Sequence, residues 1–274
     1  MHWTHITDWD GAYSNLNHVP DADGYPPRWE ADARSFRASL GDRARAGLAY
    51  GPGPRQAFDL FLPEAGPHGL AVFVHGGYWR RFDRSLWSHL AAGPVARGWA
   101  VAMPTYTLAP QARIATIARE VATAIIAAAA EVPGPIVLAG HSAGGQLVTR
   151  MVCGDEPLDE KTASRVSHVV SISGVHDLRP LMRTAMNADL GIDPAEAMAE
   201  SPALLTPRPG TRLVAWAGGA ELPEFQRQSA LLANVWAGLG AATTSVVEPG
   251  KHHFDVIDSL AAADGALTRA LTDI

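Results

Sequence analysis

A serine flanked by glycines offers the clearest chemistry in this chain. Gly-His-Ser-Ala-Gly at 140–144 follows an apolar run at 135–139 and precedes a helix-compatible run at 146–153. A Gly-x-Ser-x-Gly turn between a strand and a helix lifts the serine hydroxyl above the sheet and points the helix N-terminus at the reacting atoms. The pattern therefore predicts that Ser142 is a nucleophile for acyl transfer. The alternative is a glycine-rich turn whose serine caps the helix.

Two adjacent histidines could take the proton from this serine. His252 and His253 stand between the last predicted strand and the closing helix, in Pro-Gly-Lys-His-His-Phe at 249–254. An imidazole can accept and release a proton near neutral pH, so either histidine could be the general base. A metal site formed by both histidines and Asp255 is a further reading, but no His-Glu-x-x-His motif or cysteine pair supports it.

Acyl transfer also needs a carboxylate that orients the base and stabilises its protonated form. Glu221 follows the predicted strand at 213–217, one strand before the histidines, which favours it for this role. Glu224 lies one turn further along, and Asp177 follows the preceding strand at 166–173. The purely structural reading of Glu221 is an acid in the first turn of a helix. We expect Glu221 to be the acid and keep Asp177 and Glu224 as alternatives.

Backbone N–H groups must face the oxyanion that forms during acyl transfer. The amide of Ala143, directly after the serine, is one predicted donor. The loop His-Gly-Gly-Tyr-Trp at 75–79 follows an apolar strand at 70–74, and its glycines let the backbone turn further N–H groups toward the substrate. We expect His75 to fix this loop by hydrogen bonding. The arginines at 80–81 are expected to be solvated charges.

Apolar strand-like runs alternate with helical stretches from residue 70 to residue 274. This alternation predicts a mostly parallel central sheet with helices on both faces, in a single α/β domain over 1–274. Residues 177–208 form helical pieces broken by glycine and proline, which predicts a small helical cap. Residues 1–48 show no sustained period. They predict an irregular arm packed on the domain, with a short helix at 29–37 after the prolines at 26–27, and with closure over a pocket as the alternative.

Composition limits the partners and the compartment. The formal net charge is −6, which argues against nucleic acid or an anionic membrane as a partner. Cys153 is the single cysteine, and no apolar run is long enough to span a bilayer. The first residues lack the basic and apolar segments of a secretory signal. We expect a cytoplasmic protein that acts on a small ester or amide without a cofactor or metal, and we keep a homodimer as an open assembly state.

The loop at 75–79, taken with Gly-His-Ser-Ala-Gly-Gly at 140–145, resembles the arylformamidase (kynurenine formamidase) branch of the α/β-hydrolases. This branch is related to the hormone-sensitive-lipase-like esterases, which carry a third glycine where Tyr78 stands. The resemblance extends over residues 50–274. It implies the α/β-hydrolase fold and a serine hydrolase mechanism.

The resemblance also assigns roles to individual residues. The family histidine precedes a phenylalanine, which selects His253 as the base beside Ser142. The family acid is usually Asp, and here Glu221 stands in its place. The amides of Gly77 and Tyr78 correspond to the family's oxyanion hole, to which Ala143 adds the donor after the serine.

The implied activity is cleavage of a small ester or an aryl formamide such as N-formylkynurenine, through an acyl-enzyme. Tyr78 and Trp79 are expected to line a pocket for an aromatic group. A general short-chain carboxylesterase is the alternative enzyme. A non-catalytic hydrolase-fold binding protein is the alternative from another class.

Overall fold

The computed structural model describes residues 5–155 and 158–274. The first four residues of the predicted arm therefore lie outside the described residues. The strands of the described residues are β1 (Ala44–Ala49), β2 (Ala57–Phe61), β3 (Leu70–Val74), β4 (Ala100–Pro104), β5 (Ile136–His141), β6 (Val166–Ile172), β7 (Arg212–Gly218) and β8 (Ala242–Glu248).

These strands form one sheet in the order β1-β2-β4-β3-β5-β6-β7-β8. The pairs β1–β2 and β2–β4 are antiparallel, and the remaining neighbours are parallel. Every residue of β3 and β5 is buried, as expected of central parallel strands covered on both faces. The mostly parallel sheet confirms the predicted α/β-hydrolase fold class.

Helices cover both faces of the sheet. The α-helices of the described residues are α1 (Trp9–Ala12), α2 (Asn15–His18), α3 (Tyr25–Leu40), α4 (Ala92–Ala96), α5 (Ile114–Glu131), α6 (Ala143–Arg150), α7 (Glu160–Ala163), α8 (Asn187–Leu190), α9 (Pro194–Ala199), α10 (Pro223–Gly238) and α11 (Ala266–Thr272). Short 3₁₀ helices lie at Ala22–Gly24, Gly41–Arg43, Arg84–Leu86, Ser88–Ala91, Arg179–Arg183, Pro202–Leu204 and Asp258–Ala261. Helices α5, α6 and α10 pack in one hydrophobic cluster, and α3, α4 and α11 in the other. None of the described helices is both long and apolar enough to cross a bilayer.

The N-terminal arm differs from the prediction, because it is not irregular. Helix α3 runs for 16 residues and has prolines in its first turn. Proline is tolerated there since the first N–H groups of a helix have no partner within it. Trp29, Ala33 and Leu40 are the buried residues of α3, and their spacing places them on one face of the helix. The region predicted as a cap, 177–208, contains short helical segments and no strand.

The topology brings the predicted site together. The loop at 75–79, the turn at Ser142, Glu221 and His253 each follow the carboxyl end of a parallel strand, β3, β5, β7 and β8 respectively. The carboxyl ends of parallel strands meet at one edge of a sheet, where ligands of such folds bind. Residues separated by more than a hundred positions therefore lie close together.

Candidate active site

Ser142 occupies the sharp turn between β5 and α6. Its backbone has φ 56° and ψ −117°, a left-handed conformation that is strained for a residue with a Cβ. The glycines on either side have no room for a side chain. A Cβ on Gly144 would lie 1.9 Å from the carbonyl oxygen of Val74, and a Cβ on Gly140 would lie 2.1 Å from the carbonyl oxygen of Gly144. This crowded geometry is the one that the Gly-x-Ser-x-Gly pattern predicts.

Glu221 and His253 are in direct contact. His253 Nδ1 donates to Glu221 Oε2 at 2.6 Å, and both side chains are buried. The other carboxylate oxygen accepts from the Ser173 hydroxyl and, at 2.7 Å, from the amide of Gly218. The contact places the proton of a neutral imidazole on Nδ1 and leaves a lone pair on Nε2, as a general base requires. Ser173 was not identified from the sequence, although it follows β6, the strand beside β7.

The two alternative acids have other partners. Asp177 accepts from the Arg179 guanidinium at 2.9 and 2.8 Å. Glu224 accepts from Arg227 through both oxygens at 2.7 Å. Neither carboxylate contacts His253 among the described residues, so the geometry favours Glu221 as the partner of the base.

His252 is held in a different environment from His253. Its Nδ1 accepts from the amides of Phe254 and Asp255 at 3.1 and 3.3 Å, and its Nε2 lies 2.9 Å from the Tyr25 hydroxyl. These contacts connect the loop after β8 to helix α3. The described residues include no group of three or more His, Cys, Asp or Glu that could hold a metal ion.

The loop after β3 has an unusual backbone. Gly77, Tyr78 and Trp79 have φ values of 109°, 51° and 55°, so three successive residues adopt the left-handed region. Among the described residues, no acceptor is found for the amides of Gly77, Tyr78 or Ala143. Unpaired amides at a helix N-terminus and in a tight loop suit the stabilisation of an oxyanion.

Trp79 does not line the pocket, and that part of the prediction is wrong. Its side chain is fully buried, and its indole N–H donates to Gln146 Oε1 at 3.1 Å. Its carbonyl oxygen accepts from Ala109 at 2.8 Å. The left-handed backbone turns Tyr78 toward the cavity and the larger indole into the core. Trp79 thus ties the loop to helix α6.

His75 fixes the start of the same loop. Its ring stacks on Tyr106 with centroids 4.6 Å apart, and its Nδ1 donates to the carbonyl oxygen of Gly76 at 2.7 Å. Burial lowers the pKa of His75 to about 4, so the ring is neutral at physiological pH. These contacts agree with the expected loop-fixing role.

A cavity of about 260 Å³ lies at this edge of the sheet. Ser142, His253, Gly77 and Tyr78 all line it. Ser142 Oγ makes no hydrogen bond to His253 among the described contacts. Catalytic hydrogen bonds are often long before substrate binds and tighten in the reacting complex. The nucleophile, the base and the predicted oxyanion donors therefore share one space.

Aromatic side chains that the sequence did not indicate as pocket residues form much of the cavity wall. They are Trp29, Phe82, Trp87 and Phe254. The Trp29 and Trp87 rings lie 4.6 Å apart, and Trp29 also packs edge-on against Phe254 at 5.5 Å. Such a wall suits a flat apolar group. No local pattern indicates this cluster, because its members come from three separate segments.

The first part of the N-terminal arm also lines the cavity. Asp10 and residues 13–16 line the cavity, so the arm closes over it, which is the alternative considered from the sequence. Arg80 and Arg81 also line the cavity. Arg80 is paired with Asp189, whereas Arg81 is exposed and has no ion pair among the described residues. Asp10 is also exposed and has no ion pair among the described residues, so the cavity lining carries one unpaired charge of each sign.

Comparison with known proteins assigns the family. The model of the Alpha/beta hydrolase family matches residues 71–271, and the chain belongs to this family. Curated relatives include a kynurenine formamidase of Drosophila melanogaster, 29% identical over 241 residues, which covers 83% of this chain and 80% of the relative. A kynurenine formamidase of Salmo salar is 25% identical over 234 residues, with coverage of 82% and 79%. These relatives confirm the resemblance to the arylformamidase branch.

Solved structures give the same fold. A crystal structure from a Silicibacter species, described as a candidate thioesterase, is 49% identical with a TM-score of 0.92 and covers 97% of this chain and 99% of that chain. Esterase B from Lactobacillus rhamnosis is 18% identical with a TM-score of 0.65, and the coverage is 91% and 92%. At this identity the esterase shows a shared fold only.

Proposed function

We propose that the chain is a serine hydrolase that cleaves a small ester or an aryl formamide of the N-formylkynurenine type through an acyl-enzyme on Ser142. The observation that carries the proposal is the hydrogen bond between His253 and the buried Glu221, beside a cavity that Ser142 also lines. The kynurenine formamidase relatives support the substrate class.

In the first half-reaction, Ser142 Oγ attacks the substrate carbonyl carbon while His253 Nε2 takes the hydroxyl proton. The amides of Gly77, Tyr78 and Ala143 stabilise the negative charge that develops on the carbonyl oxygen. His253 then gives the proton to the leaving aryl amine or alcohol, and the acyl-enzyme remains. Glu221 stabilises the imidazolium throughout and is not itself protonated.

In the second half-reaction, water attacks the acyl-enzyme with His253 again as the base. The products are formic or another short carboxylic acid and free Ser142. Water is the only co-reactant, so the proposed mechanism includes no cofactor. A cytoplasmic location and a homodimer stay predictions.

The size and lining of the cavity support a substrate with a small acyl group and an aromatic leaving group. Ser142 lines a cavity of about 260 Å³, which we propose holds the aromatic leaving group together with a short acyl group. The wall of Trp29, Phe82, Trp87 and Phe254 lies where an aromatic leaving group would pack. A short-chain carboxylesterase uses the same catalytic groups and is the alternative that kinetics must separate.

Steady-state kinetics on a matched panel tests the proposal. The panel contains N-formylkynurenine, phenyl acetate, phenyl octanoate and an acetyl thioester, the last because of the description of the Silicibacter relative. We expect kcat/KM to be highest for the formamide, and higher for the acetate than for the octanoate. Ser142→Ala is the control and should lose turnover of every substrate. Preference for the octanoate would indicate a lipase-like enzyme, and absence of turnover would indicate a binding protein.

A further inference from the structure

We infer that the N-terminal arm holds the oxyanion loop (residues 75–79) in the conformation that directs its amides toward the substrate. Tyr13 and the Tyr78 phenol are the positioning residues. The inference rests on the proposed function and extends it to a segment outside the matched family region, 71–271. It gives a role to the residues of the arm that line the cavity. It also assigns the side chain of Tyr78 a role distinct from that of its amide.

The first observation is the hydrogen bond at the Tyr78 phenol. The hydroxyl donates to the carbonyl oxygen of Tyr13 at 2.6 Å, and Asn15 Nδ2 approaches the same hydroxyl at 3.4 Å. Tyr78 has φ 51°, which a residue with a side chain adopts only where its surroundings hold it. The arm therefore contacts the side chain of the residue whose amide is an oxyanion donor.

The second observation is that Tyr13 is itself fixed. Its side chain is 1% exposed, and its hydroxyl donates to Glu224 Oε1 at 2.6 Å. Gln228 Nε2 donates to the Tyr13 hydroxyl at 3.2 Å and to Glu224 Oε1 at 3.0 Å. Arg227 balances the charge of Glu224 with two hydrogen bonds of 2.7 Å. The arm is thus anchored to α10 by a buried and fully paired network, which a passive surface segment would not need.

The anchored Tyr13 also lies close to the proposed base, His253. The Tyr13 ring packs edge-on against Phe225 with centroids 6.1 Å apart, and Phe225 lies 4.3 Å from the His253 ring. The position of the arm is therefore linked on one side to the base and on the other to the oxyanion loop.

Both phenols keep their protons under assay conditions. Burial raises the pKa of Tyr78 and of Tyr13, and nearby carboxylates raise both further. Neither phenol therefore loses its proton between about pH 5 and 9. Loss of either hydroxyl should therefore lower activity equally across that range, unlike a change in the base.

The effect should fall on the transition state. An oxyanion donor acts only when its N–H lies about 2.7–3.1 Å from the developing charge, and loss of one donor lowers kcat by about 10²–10³-fold. Tyr78→Phe keeps the amide but releases the loop. We expect kcat to fall by about 10- to 100-fold, with KM within about twofold of wild type.

The experiment compares phenyl acetate with its thionoacetate, in which sulfur replaces the carbonyl oxygen. Sulfur is a weaker hydrogen-bond acceptor, so the thionoester depends less on the oxyanion hole. In Tyr78→Phe the ester rate should fall more than the thionoester rate, and Tyr13→Phe should show the same pattern with a smaller loss. Tyr25→Phe is the matched control. It removes a phenol contact between α3 and His252 away from the loop, and should keep kcat within about twofold.

Wild-type kcat in Tyr78→Phe would overturn the inference while leaving the proposed function intact. Equal losses on ester and thionoester, with a lowered Tm, would also overturn it, since they indicate a structural role alone. Tyr13→Phe provides the same comparison if Tyr78→Phe fails to fold. Absence of ester turnover by the wild type would overturn both the inference and the proposed function.

Discussion

Glu221 Oε2 and His253 Nδ1 lie 2.6 Å apart, and the side chain of Glu221 is entirely shielded from solvent. The Glu221 side chain folds back on its own strand end, since the amide of Gly218 donates to its other oxygen. This bend accommodates the extra methylene group that Glu has compared with the Asp usual in arylformamidases. In this bent conformation the longer carboxylate contacts both its strand end and the proposed base.

Substitution of Glu221 should separate the effect of its negative charge from the effect of its side-chain length. Glu221→Gln removes the charge and can hold the wrong imidazole tautomer, so kcat should fall by up to about 10⁴-fold. Glu221→Asp keeps the charge with a shorter reach and should recover part of the rate. Asp177→Asn is the control, because Asp177 is paired with Arg179 and should affect stability more than kcat. Retention of kcat in Glu221→Gln with its loss in Asp177→Asn would move the acid to Asp177.

Substitution of the adjacent histidines should identify the base. His253→Ala should abolish turnover, because the described part of the chain offers no other base that lines the cavity with Ser142 and contacts a buried carboxylate. His252→Ala should reduce kcat only modestly, through the loop that it connects to Tyr25. The kcat of each variant on phenyl acetate is the measurement. The reverse ranking would assign the base to His252.

Buried histidines should make the fold sensitive to mild acid. Burial lowers the pKa of His75 and His89 to about 4 and that of His176 to about 3, and holds that of His141 well below its usual value. In the unfolded chain a histidine titrates near about 6.5, so below that pH the unfolded state binds protons that the folded state does not. The free energy of unfolding should therefore be highest above pH 6.5. It should fall toward pH 4 by up to about 1.4 kcal/mol per pH unit for each histidine.

Urea unfolding at pH 7.5, 6.5 and 5.5 measures this dependence before most carboxylates titrate. His89→Gln should reduce the pH dependence of the unfolding free energy by the contribution of one histidine. His89 suits this test because it lies outside the cavity and its Nδ1 has no partner among the described residues. An unfolding free energy that stays constant from pH 7.5 to 5.5 would show that these rings are not buried in their neutral form.

The unpaired Arg81 on the cavity should favour substrates with a negative charge, and Asp10 in the same lining should oppose this effect only in part. We expect kcat/KM for 4-carboxyphenyl acetate to exceed that for the uncharged 4-carbamoylphenyl acetate. Arg81→Gln should lower only the former, by about two- to fivefold, since an exposed charge contributes little. Added salt should have the same effect as the substitution. Arg34→Gln, an exposed arginine on α3, is the control, and equal effects of the two substitutions on the charged substrate would contradict the prediction.

The central elements and the order of the site residues could be read from the sequence. Strand β3 was predicted with the bounds that the structure has, because an apolar run between turn signals has few other readings. Ser142, Glu221 and His253 each follow a predicted strand, so the topology brings their loops together. Their catalytic roles stay proposals.

Contacts between distant segments could not be predicted. The phenol of Tyr78 meets the backbone of Tyr13 across 65 positions, and no local period encodes that contact. Trp79 was placed in the pocket because the sequence does not show which way a left-handed turn directs successive side chains. Helix α3 was predicted too short because its first-turn prolines were taken to precede the helix.

Covalent labelling of Ser142 tests the proposed mechanism most directly. Intact-protein mass spectrometry after treatment with a fluorophosphonate should show one adduct, and peptide mapping should place it on Ser142. Ser142→Ala should stay unlabelled, and His253→Ala should label far more slowly because the hydroxyl is then not deprotonated. Wild-type protein that remains unmodified, or an adduct that persists in Ser142→Ala, would contradict a mechanism that proceeds through an acyl-enzyme on Ser142.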